Sequence, residues 1–87
     1  MNTADLIRQR LAALEPESYT LEDESAQHRG HAGAAGGGGH YRLTVVSPRF
    51  RDLSTLARHR LVYEAMGELM HREIHALSIT ALTTEEL

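Results

Sequence analysis

The chain has 87 residues, a formal net charge of −3, 41% hydrophobic residues and no cysteine. This length fits one small domain, and the lack of cysteine excludes disulfides and metal sites built on the chain's own thiolates. No apolar run is long enough to cross a membrane and the first residues do not resemble a secretory signal, so we expect a cytoplasmic protein.

The first predicted elements are a helix and a short strand. Apolar residues recur at helical spacing over residues 3–14, where Thr3 is placed to cap the helix and Pro16 to end it. Residues 18–24 alternate in polarity and predict a strand.

A segment rich in glycine and histidine follows, over residues 25–39. It contains His28, His31 and the run Gly36 to Gly39. Glycine loses the most backbone entropy on ordering, so the segment is predicted to be a flexible loop. It lies between two predicted strands rather than before a helix, and therefore offers no helix-terminal amides to a phosphate.

The second half of the chain predicts a strand at 40–47, a helix at 55–70 capped by Ser54, a strand at 74–81 and a helical turn at 83–86. The buried stripe of the long helix is expected at Val62, Met66, Leu69 and Met70. The order αββαβ, with a short final α, indicates one α+β domain over residues 1–87, in which helices cover one face of a three-stranded sheet.

Topology predicts where the histidines meet. The first two strands can pair antiparallel, and the crossover through the long helix makes the third strand parallel to the second. The start of the third strand then lies at the same end of the sheet as the glycine-rich loop. His75 is therefore expected near His28, His31 and His40.

Imidazole is a common ligand for zinc, iron and copper, so these four histidines are candidate ligands. Taken singly, each also fits an ordinary half-buried or solvated histidine, and together they could form a zinc site. His59 shares the apolar stripe of the long helix and is expected to be a core or supporting residue.

Charge suggests a different function. Five arginines lie between positions 42 and 60 against a single acidic residue, Asp52, which leaves a local charge of +4. Phosphate contacts are possible there, and the candidates are Arg49, Arg51, Arg58 and Arg60. The turn at 48–54 has no glycine, whereas KH domains hold the nucleic-acid backbone with a Gly-x-x-Gly loop.

Catalysis has little support in the sequence. No P-loop or dinucleotide fingerprint is present, and neither Ser47 nor Ser54 lies in a nucleophile-elbow context. We expect a protein that is not an enzyme.

Several segments, in order, resemble the BolA family. The segments are Asp23-Glu24-Ser25 before a histidine-bearing glycine loop, His40-Tyr41-Arg42-Leu43 leading to Val46-Ser47-Pro48-Arg49-Phe50, Arg58-His59-Arg60-Leu61-Val62-Tyr63, and Ile74-His75-Ala76-Leu77-Ser78-Ile79. The chain departs from the family pattern at Asp52, where the family usually has glycine. The resemblance implies the αββαβ fold of the type II KH class and a cytoplasmic location.

The resemblance also implies a function as an adaptor in iron–sulfur assembly or in iron and redox signalling. The partner would be a monothiol glutaredoxin, and the two proteins would share a [2Fe–2S] cluster held by the glutaredoxin cysteine, glutathione and histidine. His75 matches the family's C-terminal ligand, and the loop ligand matches His28 or His31. The isolated chain would hold no cluster and would be a monomer or weak homodimer. A KH-like transcriptional regulator that binds DNA is the alternative.

Overall fold

A computed structural model describes residues 1–25 and 39–87, so His28 and His31 and nearly all of the predicted loop at 25–39 lie outside the described residues. The helices and strands are α1 (Thr3–Leu11), β1 (Ser18–Asp23), β2 (Gly39–Val46), α2 (Thr55–Met66) and β3 (Ile74–Leu82). Short 3₁₀ turns occur at Ala12–Leu14, Pro48–Phe50, Gly67–His71 and Thr84–Glu86. The predicted αββαβ order with a short final helical turn is confirmed.

The strands form one mixed sheet in the order β1-β2-β3. β1 pairs antiparallel with β2, and β3 pairs parallel with β2, as the crossover through α2 requires. The β2–β3 register shifts at its beginning: Gly39 lies opposite Ile74 and His40 opposite Ala76. His75 is thus the extra residue of a β-bulge, a feature that strand alternation alone did not predict.

The hydrophobic core lies between one face of the sheet and the helices. Tyr41, Leu43 and Val45 alternate along β2 and are buried, while Arg42 between them is exposed. The helices contribute the other side of the core through Ile7, Leu11, Leu14, Val62, Met66 and Leu69. The opposite face of the sheet carries mostly polar, exposed side chains, so the predicted placement of the helices on one face is confirmed.

The structure corrects two helix boundaries. Asn2, rather than Thr3, caps α1 by accepting a hydrogen bond from the Asp5 backbone N–H at 2.9 Å. α2 begins as predicted, because the Ser54 side chain accepts from the Ala57 N–H at 3.1 Å. It ends at Met66 instead of residue 70, because Gly67 has φ +57° and ψ −129°, a conformation that an α-helix cannot contain.

The turn between β2 and α2 is fixed by a buried hydroxyl and a left-handed residue. Ser47 is fully buried, donates to the Leu14 carbonyl at 2.5 Å and accepts from the Arg49 N–H at 3.1 Å. Asp52 has φ +63°. The turn thus keeps a backbone conformation that favours glycine although an aspartate occupies it.

Candidate histidine site and arginine surface

Two histidines meet at one end of the sheet. His75 is exposed at the start of β3, and its ring centroid lies 5.0 Å from that of His40 at the start of β2, with the ring planes tilted by 37°. The bulge produces this arrangement, since Ile74 before it is buried whereas His75 and Ala76 are both exposed. The predicted convergence of His75 with His40 is therefore present.

Hydrogen bonds hold this end of the sheet together. The Gly39 N–H donates to the Glu73 carbonyl at 2.9 Å, which joins the start of β2 to the residue before β3. A Cβ atom added at Gly39 would lie only 2.4 Å from the Tyr41 ring. The last glycine of the run therefore has a packing role, because it lets the chain pass close to a core tyrosine.

Ser25 ties the end of β1 to the start of β2. Its Oγ accepts from the His40 N–H at 3.0 Å, and its own N–H donates to Asp23 Oδ1 at 2.9 Å. Hydrogen bonds from the Ser25 side chain and backbone hold the pKa of Asp23 below its ordinary value. Both residues that flank segment 26–38, Ser25 and Gly39, are thus anchored beside His40.

The other histidines of the described residues, which were not predicted as ligands, do not add to this site. Of these histidines, His71 is exposed, and His59, expected as a core or supporting residue, is half-buried on α2. Within residues 1–25 and 39–87, no group of three or more histidine, cysteine or acidic residues is placed to hold a metal ion. The described part of the candidate site is therefore a histidine pair.

The arginine stretch is largely paired with acidic residues. Arg42 lies 3.3 Å from Glu24, Arg49 lies 3.9 Å from Glu15, Arg51 lies 2.5 Å from Glu85, and Arg58 lies 2.7 Å from Glu86. Among the four candidate phosphate-binding arginines, Arg60 alone has no acidic partner in the part of the chain that the structure describes. The acidic partners come from segments before β2 and after β3 that fold back onto the arginines, which the local count of charge did not predict.

Arg58 has the most extensive contacts of these arginines. Its Nε donates to the Leu53 carbonyl at 2.9 Å and its Nη1 donates to the Ala81 carbonyl at 3.0 Å. Both terminal nitrogens, Nη1 and Nη2, donate to the Glu86 carboxylate. Its side chain is only 12% exposed. The hydrogen bond from Arg58, followed by that from the Thr83 N–H, lowers the pKa of Glu86 to about 2. Arg58 therefore joins α2, β3 and the C-terminal turn.

These features define a class: a small α+β domain with a mixed three-stranded sheet, helices on one face and histidines at one end of the sheet. Comparison gives the family. The sequence profile of the BolA-like protein family matches residues 11–86, and the chain belongs to that family.

Individual relatives agree with this assignment. The chain is 49% identical over 71 residues to BolA-like protein 1 of Mus musculus, a match that covers 82% of this chain and 50% of the relative. It is 37% identical over 83 residues to the Vibrio cholerae protein named DNA-binding transcriptional regulator BolA, covering 94% of this chain and 76% of that protein. The chain thus spans about half the length of the mouse relative it matches.

A solved structure supports the fold. BolA1 from Arabidopsis thaliana superposes with a TM-score of 0.85 at 38% identity, over 100% of this chain and 97% of that one. In residues 1–25 and 39–87, no helix is long and apolar enough to span a membrane.

Proposed function

We propose that this chain is a non-enzymatic adaptor that binds a monothiol glutaredoxin and contributes histidine ligands to a [2Fe–2S] cluster shared between the two proteins. The proposal places the protein in the cytoplasm, in iron–sulfur assembly or in iron and redox signalling. The observation that carries it is the position of His75: exposed on a β-bulge, 5.0 Å from the His40 ring, beside the anchored ends of the histidine-bearing segment.

The residues at this site suit such a cluster. Iron–sulfur clusters are mostly held by thiolates, and histidine can replace cysteine at one iron. The chain has no cysteine, so it can supply imidazoles only, and the thiolates must come from the glutaredoxin and glutathione. When bound, the cluster would supply an iron with an open position for an imidazole. The protein's own contribution is to present the His75 ring at an exposed edge, held by the hydrogen bonds between Gly39 and Glu73 and between His40 and Ser25.

The second ligand would come from the segment between β1 and β2. His28 follows the anchored Ser25 by three residues and His31 follows it by six. An extended chain gains at most about 3.6 Å per residue, so the chain that links His28 to Ser25 has a shorter maximum reach than the chain that links His31 to it. His40 already contacts the His75 ring and would act as a supporting residue.

The test is complex formation with a cluster-loaded monothiol glutaredoxin, followed by visible circular dichroism. The wild-type chain should change the spectrum, and His75→Ala should abolish that change. His71→Ala is the matched control, because His71 is also an exposed histidine of the described chain. An identical spectral change with His75→Ala would refute the proposed ligand, and no change with wild type would refute the shared cluster.

The loop ligand and a zinc site can be separated in the same system. His28→Ala and His31→Ala, tested singly, should affect the spectrum unequally, with the larger loss identifying the ligand. Zinc that copurifies with a tag-free chain at one equivalent, and disappears with His75→Ala, would favour a zinc site over the shared cluster.

DNA binding is the second candidate function. The observation that favours it is the name of the Vibrio cholerae relative, a DNA-binding transcriptional regulator. The pairing of Arg42, Arg49, Arg51 and Arg58 with carboxylates leaves less positive charge for phosphates than the sequence suggests. We therefore rank it below the cluster adaptor.

A further inference from the structure

We propose that the outer edge of β3 is a self-pairing surface, through which two copies of this chain associate as an antiparallel β3–β3 pair and form one six-stranded sheet. The inference is independent of the cluster and of the glutaredoxin. It starts from the sheet order β1-β2-β3, which leaves β1 and β3 as edge strands.

The two edges are protected to different degrees. β1 has six residues, and Glu22 and Asp23 place negative charge on it. β3 has nine residues, Ile-His-Ala-Leu-Ser-Ile-Thr-Ala-Leu, without a Lys, Arg, Asp, Glu, Pro or Gly. Proteins usually protect edge strands with charge, proline, short length or a covering element, because exposed backbone groups are templates for pairing. In the part of the chain that the structure describes, β3 is protected by the bulge at its start and by the Arg58 side chain near its end.

The backbone directions identify the open part of this edge. The Leu82 carbonyl accepts from the Ser47 N–H, toward β2, whereas the Ala81 carbonyl accepts from Arg58, away from β2. Backbone groups alternate in direction along a strand, so those of Leu77 and Ile79 also point away from β2. Arg58 closes the edge at Ala81, and no backbone group of residues 1–25 and 39–87 pairs with the outer side of β3 between the bulge and Ile79.

One register satisfies these groups in a symmetric pair. With the two-fold axis at Ser78, Leu77 of one copy lies opposite Ile79 of the other. Both residues direct N–H and C=O outward, so each pair exchanges two hydrogen bonds, giving four in all for the two pairs. Ser78 of one copy would lie opposite Ser78 of the other copy, and these two residues would form a non-hydrogen-bonded pair.

The side chains suit this register. Leu77 and Ile79 lie on the core face but are only half-buried, whereas their β2 neighbours Tyr41 and Leu43 are buried. A second copy would cover this apolar surface. On the opposite face, Ala76 would meet Thr80, so that small side chains oppose each other.

Charge at the ends of the strand neither favours nor opposes the pairing. Arg72 comes two residues before β3 and is exposed without an acidic partner in residues 1–25 and 39–87. Antiparallel pairing would bring it toward the end of the other copy's β3, where Glu85 and Glu86 are already paired with Arg51 and Arg58. The hydrogen bonds and the apolar side chains therefore carry the inference. A short strand pair covers less than a standard interface, so the association should be weak.

Sedimentation equilibrium on the full chain is the first test. We expect a monomer–dimer equilibrium with a Kd on the order of 0.1–1 mM. Ser78→Lys places two ammonium groups across the axis on the exposed face and should raise the Kd about fivefold or more. Thr20→Lys is the control, because Thr20 is exposed on the other edge strand. Far-UV circular dichroism should show that both variants are folded.

Single-cysteine variants test the register, since the native chain has no cysteine. Cβ atoms of a directly opposed pair lie about 4.5–5.5 Å apart, close to the spacing that a disulfide needs. With an azodicarboxamide oxidant, which accepts two electrons and two protons as two thiols form one disulfide, Ser78→Cys should cross-link rapidly. Ala76→Cys and Thr80→Cys should each cross-link slowly alone and rapidly when mixed, because they oppose each other rather than themselves.

Two results would overturn the inference. One is a wild-type chain that stays monomeric up to roughly 1 mM. Binding of a strand from another protein at this edge would not rescue the inference, which concerns two copies of this chain. The other is cross-linking of Ser78→Cys no faster than that of Thr20→Cys.

Discussion

Asp52 has a left-handed backbone conformation in the turn between β2 and α2, with a φ of +63°. This conformation costs a residue with a Cβ about 1–2 kcal/mol, and aspartate adopts it more readily than most such residues do. The resemblance to the BolA family implies glycine at this position, and the positive φ of Asp52 is a conformation that suits glycine.

The prediction for this turn is an order of stability. Asp52→Gly should raise the free energy of unfolding by up to about 1 kcal/mol, and Asp52→Ala should lower it by about 1 kcal/mol, because alanine has neither glycine's freedom nor a short polar side chain. Urea denaturation would measure both. Equal stability of the glycine and alanine variants would show that the turn does not require a left-handed residue.

Glu86 gives a prediction about pH. Arg58 and the Thr83 N–H lower its pKa from 4.5 to about 2, so the folded state binds its proton more weakly than the unfolded state does. Its contribution to stability is therefore complete above the unfolded pKa, and is lost as the pH falls from about 4.5 toward 2.

The measurement is the stability of Glu86→Gln relative to wild type at several pH values. The variant should be the less stable protein at neutral pH, and the difference should shrink as the pH falls through that window. Glu64→Gln is the control, since Glu64 is exposed and has no ion pair in the described part of the chain. A difference that stays constant down to about pH 2 would contradict the assigned role of the ion pair.

Elements could be predicted from sequence where local patterns and packing agree. The alternation along residues 40–47 identified β2 within one residue at each end, and Ser54 identified the start of α2. The end of α2 was placed too far along, because apolar spacing continues to Met70 while the chain has already left the α-helix at Gly67. Residues 67–71 form a 3₁₀ turn that still buries Leu69, so the periodicity reflects burial and not one continuous helix.

This correction leads to a prediction for Gly67. Its φ of +57° with ψ of −129° is a combination that residues with a Cβ rarely adopt. Gly67→Ala should therefore lower the free energy of unfolding by about 1–3 kcal/mol. Among the described residues, the only atom that an added Cβ would meet closely is the flexible end of Arg10, at 3.1 Å, so backbone strain rather than a clash should dominate.

A control separates strain from helix propensity. Ala57→Gly, in the first turns of α2, is the reverse substitution at an ordinary helical position. It should lower the free energy of unfolding by about 0.5–1 kcal/mol, because glycine loses more backbone entropy on folding than alanine does. If Gly67→Ala instead extended the helix and stabilised the protein in urea denaturation, the boundary at Met66 would not be set by Gly67.

The candidate site shows what sequence could and could not give. The convergence of His75 and His40 followed from topology, because a parallel crossover places the starts of β2 and β3 at the same end of the sheet. The bulge that exposes His75 did not follow, since it depends on the register between two strands far apart in sequence. The pairing of Arg58 with Glu86 was missed for the same reason: 28 positions separate the two residues along the chain.

At the scale of the whole molecule, the fold redistributes charge that the sequence presents as separate blocks. The acidic flanks before β2 and after β3 supply the partners of Arg42, Arg49, Arg51 and Arg58. A surface of alternating charge is a poorer match for a polyanion than five free arginines would be. In residues 1–25 and 39–87, the arginines without an acidic partner are Arg10, Arg60 and Arg72.

The salt dependence of DNA affinity tests this charge distribution. Each phosphate neutralised contributes a slope of about −0.9 to a plot of log affinity against log salt, so the three unpaired arginines of residues 1–25 and 39–87 would together contribute a slope of about −3. Fluorescence anisotropy with a labelled duplex would measure it, and Arg60→Ala should make the slope shallower by about 0.9. Glu64→Gln, a change of the same magnitude of charge on the same helix, should not flatten the slope. A slope of about −6 or steeper would mean that the paired arginines exchange their carboxylates for phosphates on binding, and DNA binding would then rank above the cluster adaptor.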